Sequence, residues 1–333
     1  MKIAHVLPYS VTFPLESHNG RYEWVRQLAL QQIAHGHEVT IYCNPSSQSA
    51  RLRFKGIDKD LGDKKANNIA TFHLAFEDDS DVYHSHFDNL HYTVAKETAK
   101  PIVFTQHWWP TDETLDLAQR NPSNVWAVPP TQYMADFDQS HGIQTKSSIY
   151  HGIDLSVFRP APVLKNGRLL FVGRIAPDKN IEAAISVAEK SGVALDIVGK
   201  ITDKYRDYWE VLRKDIDGAN VNYLGSKNRE ELVELYSGAR AVICTFGTTE
   251  AFGLVAAEAQ ACGTPVLITP GGAHGELIDP EKTGFICGSI DEFVVAVSRA
   301  SSINSEDCVN FVAKNFDDKI MFKKYEDLYR ELI

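Results

Sequence analysis

The chain has 333 residues, 44% hydrophobic and 23% charged, an ordinary balance for a soluble globular protein. At roughly 100–200 residues per domain, this length predicts two domains. The net charge of −10 argues against a general nucleic-acid binder, although a local basic pocket for a phosphorylated ligand remains compatible with it.

In chain order, "KIAHVLP" is a short apolar run at the N-terminus. "YEWVRQLALQQIAHG" has helical spacing at Trp24, Val25, Leu28 and Ile33 and stops at Gly36, and "HEVTIYC" is the next strand. Residues 44–68 are polar and read as an irregular connection or a short helix. "DVYHSHF" and "PIVFTQHW" are two further strands with a helix between them, and "VWAVP" and "KSSIYHG" complete the first half. After the Pro-rich join "FRPAPVLKNG", the second half repeats the scheme. It runs through the strand "RLLFVGR", the helix "NIEAAISVAEKSG", the strand "ALDIVGK", the helix "DYWEVLRKDI", the strand "VNYLG", the helix "REELVELYSGA" and the strand "AVICTF". An alanine-rich helix and the strands "PVLIT" and "GFIC" follow. Strands alternating with helices predict parallel sheets, and near-continuous apolar strands suit sheets covered on both faces. The expected architecture is α/β, with two Rossmann-like domains whose parallel sheets face each other across a cleft. Ligands in such sheets bind at the carboxyl ends of the strands.

Several chemistries lack their signatures. There is no G-x-G-x-x-G after the first strand, no Gly-rich loop ending in Gly-Lys-Ser/Thr, no G-x-S-x-G and no H-E-x-x-H. Period-2 alternation places His84 and His86 on one strand face, but no carboxylate or third ligand stands at a recognisable spacing, so no metal site is expected. The acid run "EDDSD" precedes a strand and reads as a solvated turn. Cys43, Cys244, Cys262, Cys287 and Cys308 are scattered without a Cys-x-x-Cys pair, which fits a reducing compartment. "MKIAHVLPYS" is too weakly apolar for a signal peptide, and no window approaches about 18 apolar residues. A cytoplasmic protein is expected, with peripheral membrane contact possible.

Two segments carry the chemistry. "FVGRIAPDKN" ends a strand and presents Arg174 and Lys179, a planar fork and a mobile point charge suited to clamping a diphosphate. In "TFGTTEAFGLVAAEAQACGTPVL", Glu250 stands at a helix entry and Phe252-Gly253-Leu254 reads as the first turn, where free N–H groups bind anions. Gly253 removes a side chain so that a phosphate can approach. Glu258 lies eight residues beyond Glu250, about 12 Å further along at helical rise. Two carboxylates flanking an anion site suit a ligand with a central diphosphate and hydroxyl-bearing groups at both ends, such as a sugar nucleotide.

"EAFGLVAAEAQACGTPVL" resembles the hallmark of the retaining family 4 glycosyltransferases of the GT-B fold. "FVGRIAPDKN", "YHGIDLSVFRP", "HGHEVTIY", "DVYHSHF", "LVELYSGARAVI" and "GGAHGELIDPEKTGF" are similar to further segments of that family in the same order. The resemblance implies that Arg174 and Lys179 bind the donor diphosphate and stabilise the leaving nucleotide in place of a metal. It implies that Glu250 holds hydroxyls of the transferred sugar and Glu258 the ribose, while Phe252, Gly253 and Leu254 offer backbone amides. His107 would contact the donor sugar, and Gly20 would approach the phosphates. Asn19 where a glycine is usual, Tyr22 where an acid is common, Pro129-Pro130 and His151 depart from the family pattern; the first three concern the acceptor domain.

The expected domains are therefore 1–157, joined by a C-terminal helix at 315–333, and 158–314. The expected activity is transfer of a hexose from a nucleoside diphosphate sugar, UDP-sugar favoured, to a saccharide, lipid-linked or small-molecule acceptor, with no cofactor and no metal. A sugar-nucleotide 2-epimerase is the alternative kept open by 11 histidines in the first 151 residues, and a non-catalytic sugar-nucleotide binder is another.

Overall fold

The computed structural model describes residues 1–15, 20–120, 123–247 and 250–333. All strand pairings among them are parallel. The chain divides into two units, residues 1–152 with 318–333, and residues 153–317. The joins thus fall at 152/153 and 317/318, a few residues from the sequence-based 157/158 and 314/315.

The first unit runs β1 (Lys2–Val6), α1 (Gly20–Ala34), β2 (Glu38–Tyr42), β3 (Arg53–Lys55), α2 (Lys64–Glu77), β4 (Val82–Ser85), α3 (Leu90–Val94), β5 (Ile102–Thr105), α4 (Asp112–Gln119), β6 (Val125–Val128) and α5 (Gln132–Ser140). Its sheet has the order β3-β2-β1-β4-β5-β6. Side chains alternate across the sheet, so its strands feed two apolar layers. Ile3, Ile41, Val82 and Val103 share one face with Trp24, Val25 and Leu28 of α1. Ala4, Val6, Tyr42, Tyr83 and Phe104 share the other with Phe72 and Ala75 of α2.

The second unit repeats the order. It runs β7 (Leu169–Val172), α6 (Ile181–Ser191), β8 (Leu195–Val198), α7 (Arg206–Leu212), β9 (Val221–Tyr223), α8 (Arg229–Gly238), β10 (Ala241–Cys244), α9 (Leu254–Ala261), β11 (Val266–Ile268), β12 (Gly284–Ile286), α10 (Ile290–Arg299) and α11 (Ser305–Asn315). The sheet order is β12-β11-β10-β7-β8-β9. The last helix, α12 (Asp318–Leu332), belongs to the first unit, where Met321, Phe322, Tyr325, Leu328 and Tyr329 complete the α1 layer.

Three elements differ from the sequence reading. Residues 44–68 hold β3 and the start of α2, which Asp63 caps by accepting the Ala66 N–H. The strand is three residues long with two charged residues, and the helix's first large apolar residue is Ile69, so neither signals itself within that window. "KSSIYHG" is not a strand: the Ile149 N–H donates to the Pro129 carbonyl, but no ladder follows. The alanine-rich helix begins at Leu254 rather than Phe252, so Glu250 to Gly253 form a loop and the 12 Å separation derived for an unbroken helix does not apply.

Each sheet reverses its winding once, between β1 and β4 and between β7 and β10. The carboxyl ends of those strand pairs are where such folds bind ligands.

Candidate active site

In the second unit, the loops leaving β7 and β10 carry the predicted cations and Glu250. The β7 loop is shaped by close backbone approach: a Cβ on Gly199, at the end of β8, would lie 1.8 Å from the Gly173 carbonyl oxygen. Arg174 follows at once. Its Nη2 donates to Asp178 Oδ2 at 3.1 Å, a largely solvated pair. A single turn over Pro177–Lys179 ends at Asn180 in the left-handed region, φ 48°. Thr245, just past β10, pins this turn by donating its hydroxyl to the Lys179 and Asn180 carbonyls at 3.2 and 2.8 Å.

The two loops meet at a charge pair. Lys179 Nζ lies 2.5 Å from Glu250 Oε2, with the lysine side chain only 13% exposed, and the ammonium sits 4.5 Å above the Phe246 ring. The sequence placed these residues in one site but did not foresee their mutual ion pair. The contrast between the pairs matters. A surface pair such as Arg174–Asp178 is worth about 0–1 kcal/mol, so an arriving anion can draw Arg174 away from it. Lys179 is instead held by carboxylate, ring and loop together.

Glu250 leads into Phe252 and Gly253. Phe252 is buried, its ring edge-on to Phe316 at 5.4 Å, so its side chain is core and only its backbone can serve a ligand. Gly253 precedes the helix with φ 101°, and a Cβ there would lie 2.7 Å from Leu277 Cδ1. The glycine is thus required by backbone conformation and by Leu277, which the phosphate-approach argument did not anticipate. Among the described residues no side chain caps α9, and Leu254 opens it half-buried. Thr248 and Thr249, in the same quoted segment, lie outside the described residues, as does Asn19 in the first unit.

Glu258, one turn into α9, is 7% exposed and accepts a hydrogen bond from the Tyr236 hydroxyl at 2.9 Å. Burial pushes its carboxyl up to about 7, against the Tyr236 hydrogen bond and the Arg229 charge, which pull it down. Tyr236 comes from α8, whose start is fixed by a reciprocal capping box between Asn228 and Glu231. Sequence reasoning passed over His274. It is buried, its Nδ1–H donates to the Thr269 carbonyl at 2.8 Å, and its Nε2 has no partner among the described residues. The charges of Glu250 and Lys179 both act on it, in opposite senses.

The other predicted residues lie in the first unit. Gly20 opens α1 and His107 follows β5, half-buried. His107 is not isolated. His5 on β1 pairs in register with His84 on β4, and His86 follows two residues on. The hydrogen bonds are His5 Nε2 with Gln32 Oε1 at 2.8 Å, His5 Nδ1 with His86 Nε2 at 3.0 Å, and His86 Nδ1 with His107 Nε2 at 3.3 Å. His84 Nδ1 meets the Tyr329 hydroxyl at 2.6 Å and His84 Nε2 meets Thr105 Oγ1 at 2.8 Å. Trp24 packs against His84, His86, His107, His151 and Tyr325 with ring centroids 5.2–6.1 Å apart. Arg21 Nη2 donates to the His86 carbonyl.

His5 is the third histidine that sequence spacing could not supply beside His84 and His86, because the sheet register brings it there. Their ligand atoms lie within 4.8 Å of one another. All six ring nitrogens of that trio already have hydrogen-bond partners, however, so the arrangement is one of internal bonding. Burial holds His5 down to about 4, and burial with neighbouring imidazoles and Arg21 holds His86 and His107 in the same direction.

Residues 156–315 match the family model for glycosyl transferases group 1. The second unit belongs to that family. Curated relatives of this chain include the D-inositol 3-phosphate glycosyltransferase of Mycobacteroides abscessus, 33% identical over 41% of this chain and 34% of the relative. A probable sucrose-phosphate synthase of Thermosipho melanesiensis is 28% identical over 55% and 41%. The chain thus spans well under two thirds of the length of these relatives. Among solved structures, a sucrose-phosphate synthase from Thermosynechococcus elongatus superposes with TM-score 0.82 at 18% identity, covering 99% of this chain and 98% of that one. Anabaena HepE, solved with UDP-glucose, superposes with TM-score 0.79 at 18% identity, covering all of both chains. These likenesses show the fold, two Rossmann-like units of the GT-B kind. Among the described residues, no helix is long and apolar enough to cross a membrane.

Proposed function

We propose that this protein is a retaining glycosyltransferase that moves a hexose from a nucleoside diphosphate sugar, with UDP-sugar favoured, to an acceptor hydroxyl. The observation that carries this reading is the junction of the β7 and β10 loops, where Lys179 and Glu250 pair beside Arg174 and ahead of a helix start that no described side chain caps. Relatives named as glycosyltransferases, and HepE solved with UDP-glucose, support the substrate class.

Arg174 and Lys179 bind the diphosphate and take up the charge that develops as the bond from the anomeric carbon to the diphosphate oxygen breaks, the role a metal has elsewhere. The acceptor oxygen bonds to the same face of that carbon, and its proton passes to the departing diphosphate oxygen. Glu250 accepts hydrogen bonds from hydroxyls of the transferred sugar, with its second oxygen on Lys179. The backbone at Phe252, Gly253 and Leu254 meets sugar or phosphate, and Gly20 meets the phosphates. Glu258 receives the ribose, its small exposed edge being the available face. His107 binds the donor sugar. Acceptors can be saccharides, lipid-linked sugars or small metabolites, and contact with a membrane surface would be peripheral.

The 2-epimerase alternative rested on the number of histidines. Five of them, His5, His84, His86, His91 and His151, are buried, and His5, His86 and His107 are bonded in a chain, which is poor placement for acid–base work on a sugar ring.

Replacing Arg174 or Lys179 by Ala should lower the transfer rate on the order of 10²-fold or more. The check is steady-state transfer from UDP-hexose to a panel of acceptors; wild-type rates in both variants would remove the clamp. An epimerised sugar nucleotide formed from donor alone would replace the transferase reading.

A further inference from the structure

Gln32 of α1 stands where two buried hydrogen-bond branches meet. Its Oε1 faces His5 Nε2 at 2.8 Å, and its amide nitrogen donates to the Tyr329 hydroxyl oxygen at 3.5 Å. A carbonyl oxygen only accepts, so His5 carries its proton on Nε2. Neutral imidazole has a single N–H, so His5 Nδ1 is bare and accepts from His86 Nε2, 3.0 Å away. One ring further on, His86 Nδ1 is bare and accepts from His107 Nε2 at 3.3 Å.

The second branch agrees. Tyr329, accepting from Gln32, sends its own proton to His84 Nδ1 at 2.6 Å. His84 Nε2–H donates to Thr105 Oγ1 at 2.8 Å, and Thr105 donates to the Tyr325 oxygen at 2.6 Å. Each donor from Gln32 as far as Thr105 finds an acceptor and no ring needs a second proton, while the Tyr325 proton ends the branch without an acceptor among the described residues. Turning the Gln32 amide over would reverse every proton in both branches, so this one side chain sets their direction. Gln32 is 1% exposed and His5, His84 and His86 are fully buried, which leaves no solvent to replace a partner. Burial and the nearby Arg21 charge keep the His86 and His107 rings neutral.

We propose that Gln32 is a positioning residue that acts through His5 and His86 to fix His107 as its Nε2–H tautomer, leaving Nδ1 as a hydrogen-bond acceptor for a hydroxyl of the donor sugar. The ligand in this statement rests on the transferase reading, whereas the proton order does not.

The test reads tautomers directly. Two-bond 15N–1H spectra of ligand-free, histidine-labelled protein, with His107 assigned by its loss in His107→Gln, should show the Nε2–H form in excess by about tenfold. In Gln32→Lys a donor faces His5 Nε2, so each proton reverses and His107 becomes Nδ1–H, with the transfer rate falling about tenfold. If that variant does not fold, the near-isosteric Gln32→Met should cut the Nε2–H excess below about threefold. A wild-type His107 that is Nδ1–H or doubly protonated at neutral pH overturns the proposal. So does a folded Gln32→Lys, or Gln32→Met, with the His107 tautomer unchanged. An expected tautomer response without transfer from any nucleoside diphosphate sugar would retire the substrate reading and leave the relay. An unmoved tautomer with brisk transfer would retire the relay alone.

Discussion

Gly253 shows how one position can serve conformation and chemistry together. Its φ of 101° is open to glycine but strained for other residues, and an added methyl would sit 2.7 Å from Leu277 Cδ1. Gly253→Ala should destabilise the protein by about 1–3 kcal/mol and displace Glu250 from the start of α9. Denaturant unfolding together with the transfer rate measures both, and an alanine variant with wild-type stability would mean that Leu277 yields without cost. At this scale the sequence was legible where chemistry is local. Arg174 and Lys179 could be assigned to a strand-end loop and Glu250 to a helix entry from spacing alone. The Lys179–Glu250 bond spans 71 positions, and His5 meets His86 across 81, so no local pattern announces either. Glu258 was legible as buried because its neighbours are alanines, but its partner Tyr236 comes from another helix.

Among elements, α12 starts against a single glycine. A Cβ on Gly152 would approach Asp318 Cα to 2.5 Å and Met321 Cβ to 3.1 Å, and the Gly152 N–H points to the Met321 sulfur at 3.0 Å. Gly152→Ala should therefore push the first turn of α12 off the α1 layer and open the C-terminus to protease, with limited proteolysis as the measurement. Cleavage at the wild-type rate would show that the helix shifts as a rigid body without loss. Apolar residues at helical spacing mark the buried face of α12, where Met321, Phe322, Tyr325, Leu328 and Tyr329 are buried together with Asp318. Short polar elements such as β3 gave no such notice, because a three-residue edge strand has too little periodicity to be distinguished from a loop.

On the scale of the whole molecule, the buried histidines set the acid stability. Burial holds His5 to about 4 and His91 and His151 to about 3, and it lowers His84, His86 and His107 strongly. Unfolded, each titrates near 6.5, so below that pH the unfolded chain binds more protons than the native one. Their contribution is fully present above about 6.5 and is lost as pH falls toward their folded values. Burial also raises Asp138 to about 7, which has the opposite sign: the native carboxyl holds its proton longer, so its contribution falls as pH rises from about 4 to 7. At about 1.4 kcal/mol per pH unit for each group, six histidines outweigh one aspartate. The second unit has Glu258 with the sign of Asp138. Melts followed by tryptophan emission, four of whose five reporters lie in the first unit, should show its midpoint falling as pH drops from 7 to 5. A midpoint that rises over that range would contradict the neutral assignment of these rings.

The return of α12 to the first unit has a consequence for the order of biosynthesis. The second unit is an uninterrupted stretch of chain, residues 153–317, whereas the first is split around it. A ribosome releases every residue of the second unit before it releases Met321, Tyr325 and Tyr329, which close the α1 layer and complete the hydroxyl branch beyond Gln32. During translation the earlier-made unit must therefore wait, its histidine layer uncovered on one side, while the later-made unit has everything it needs to fold.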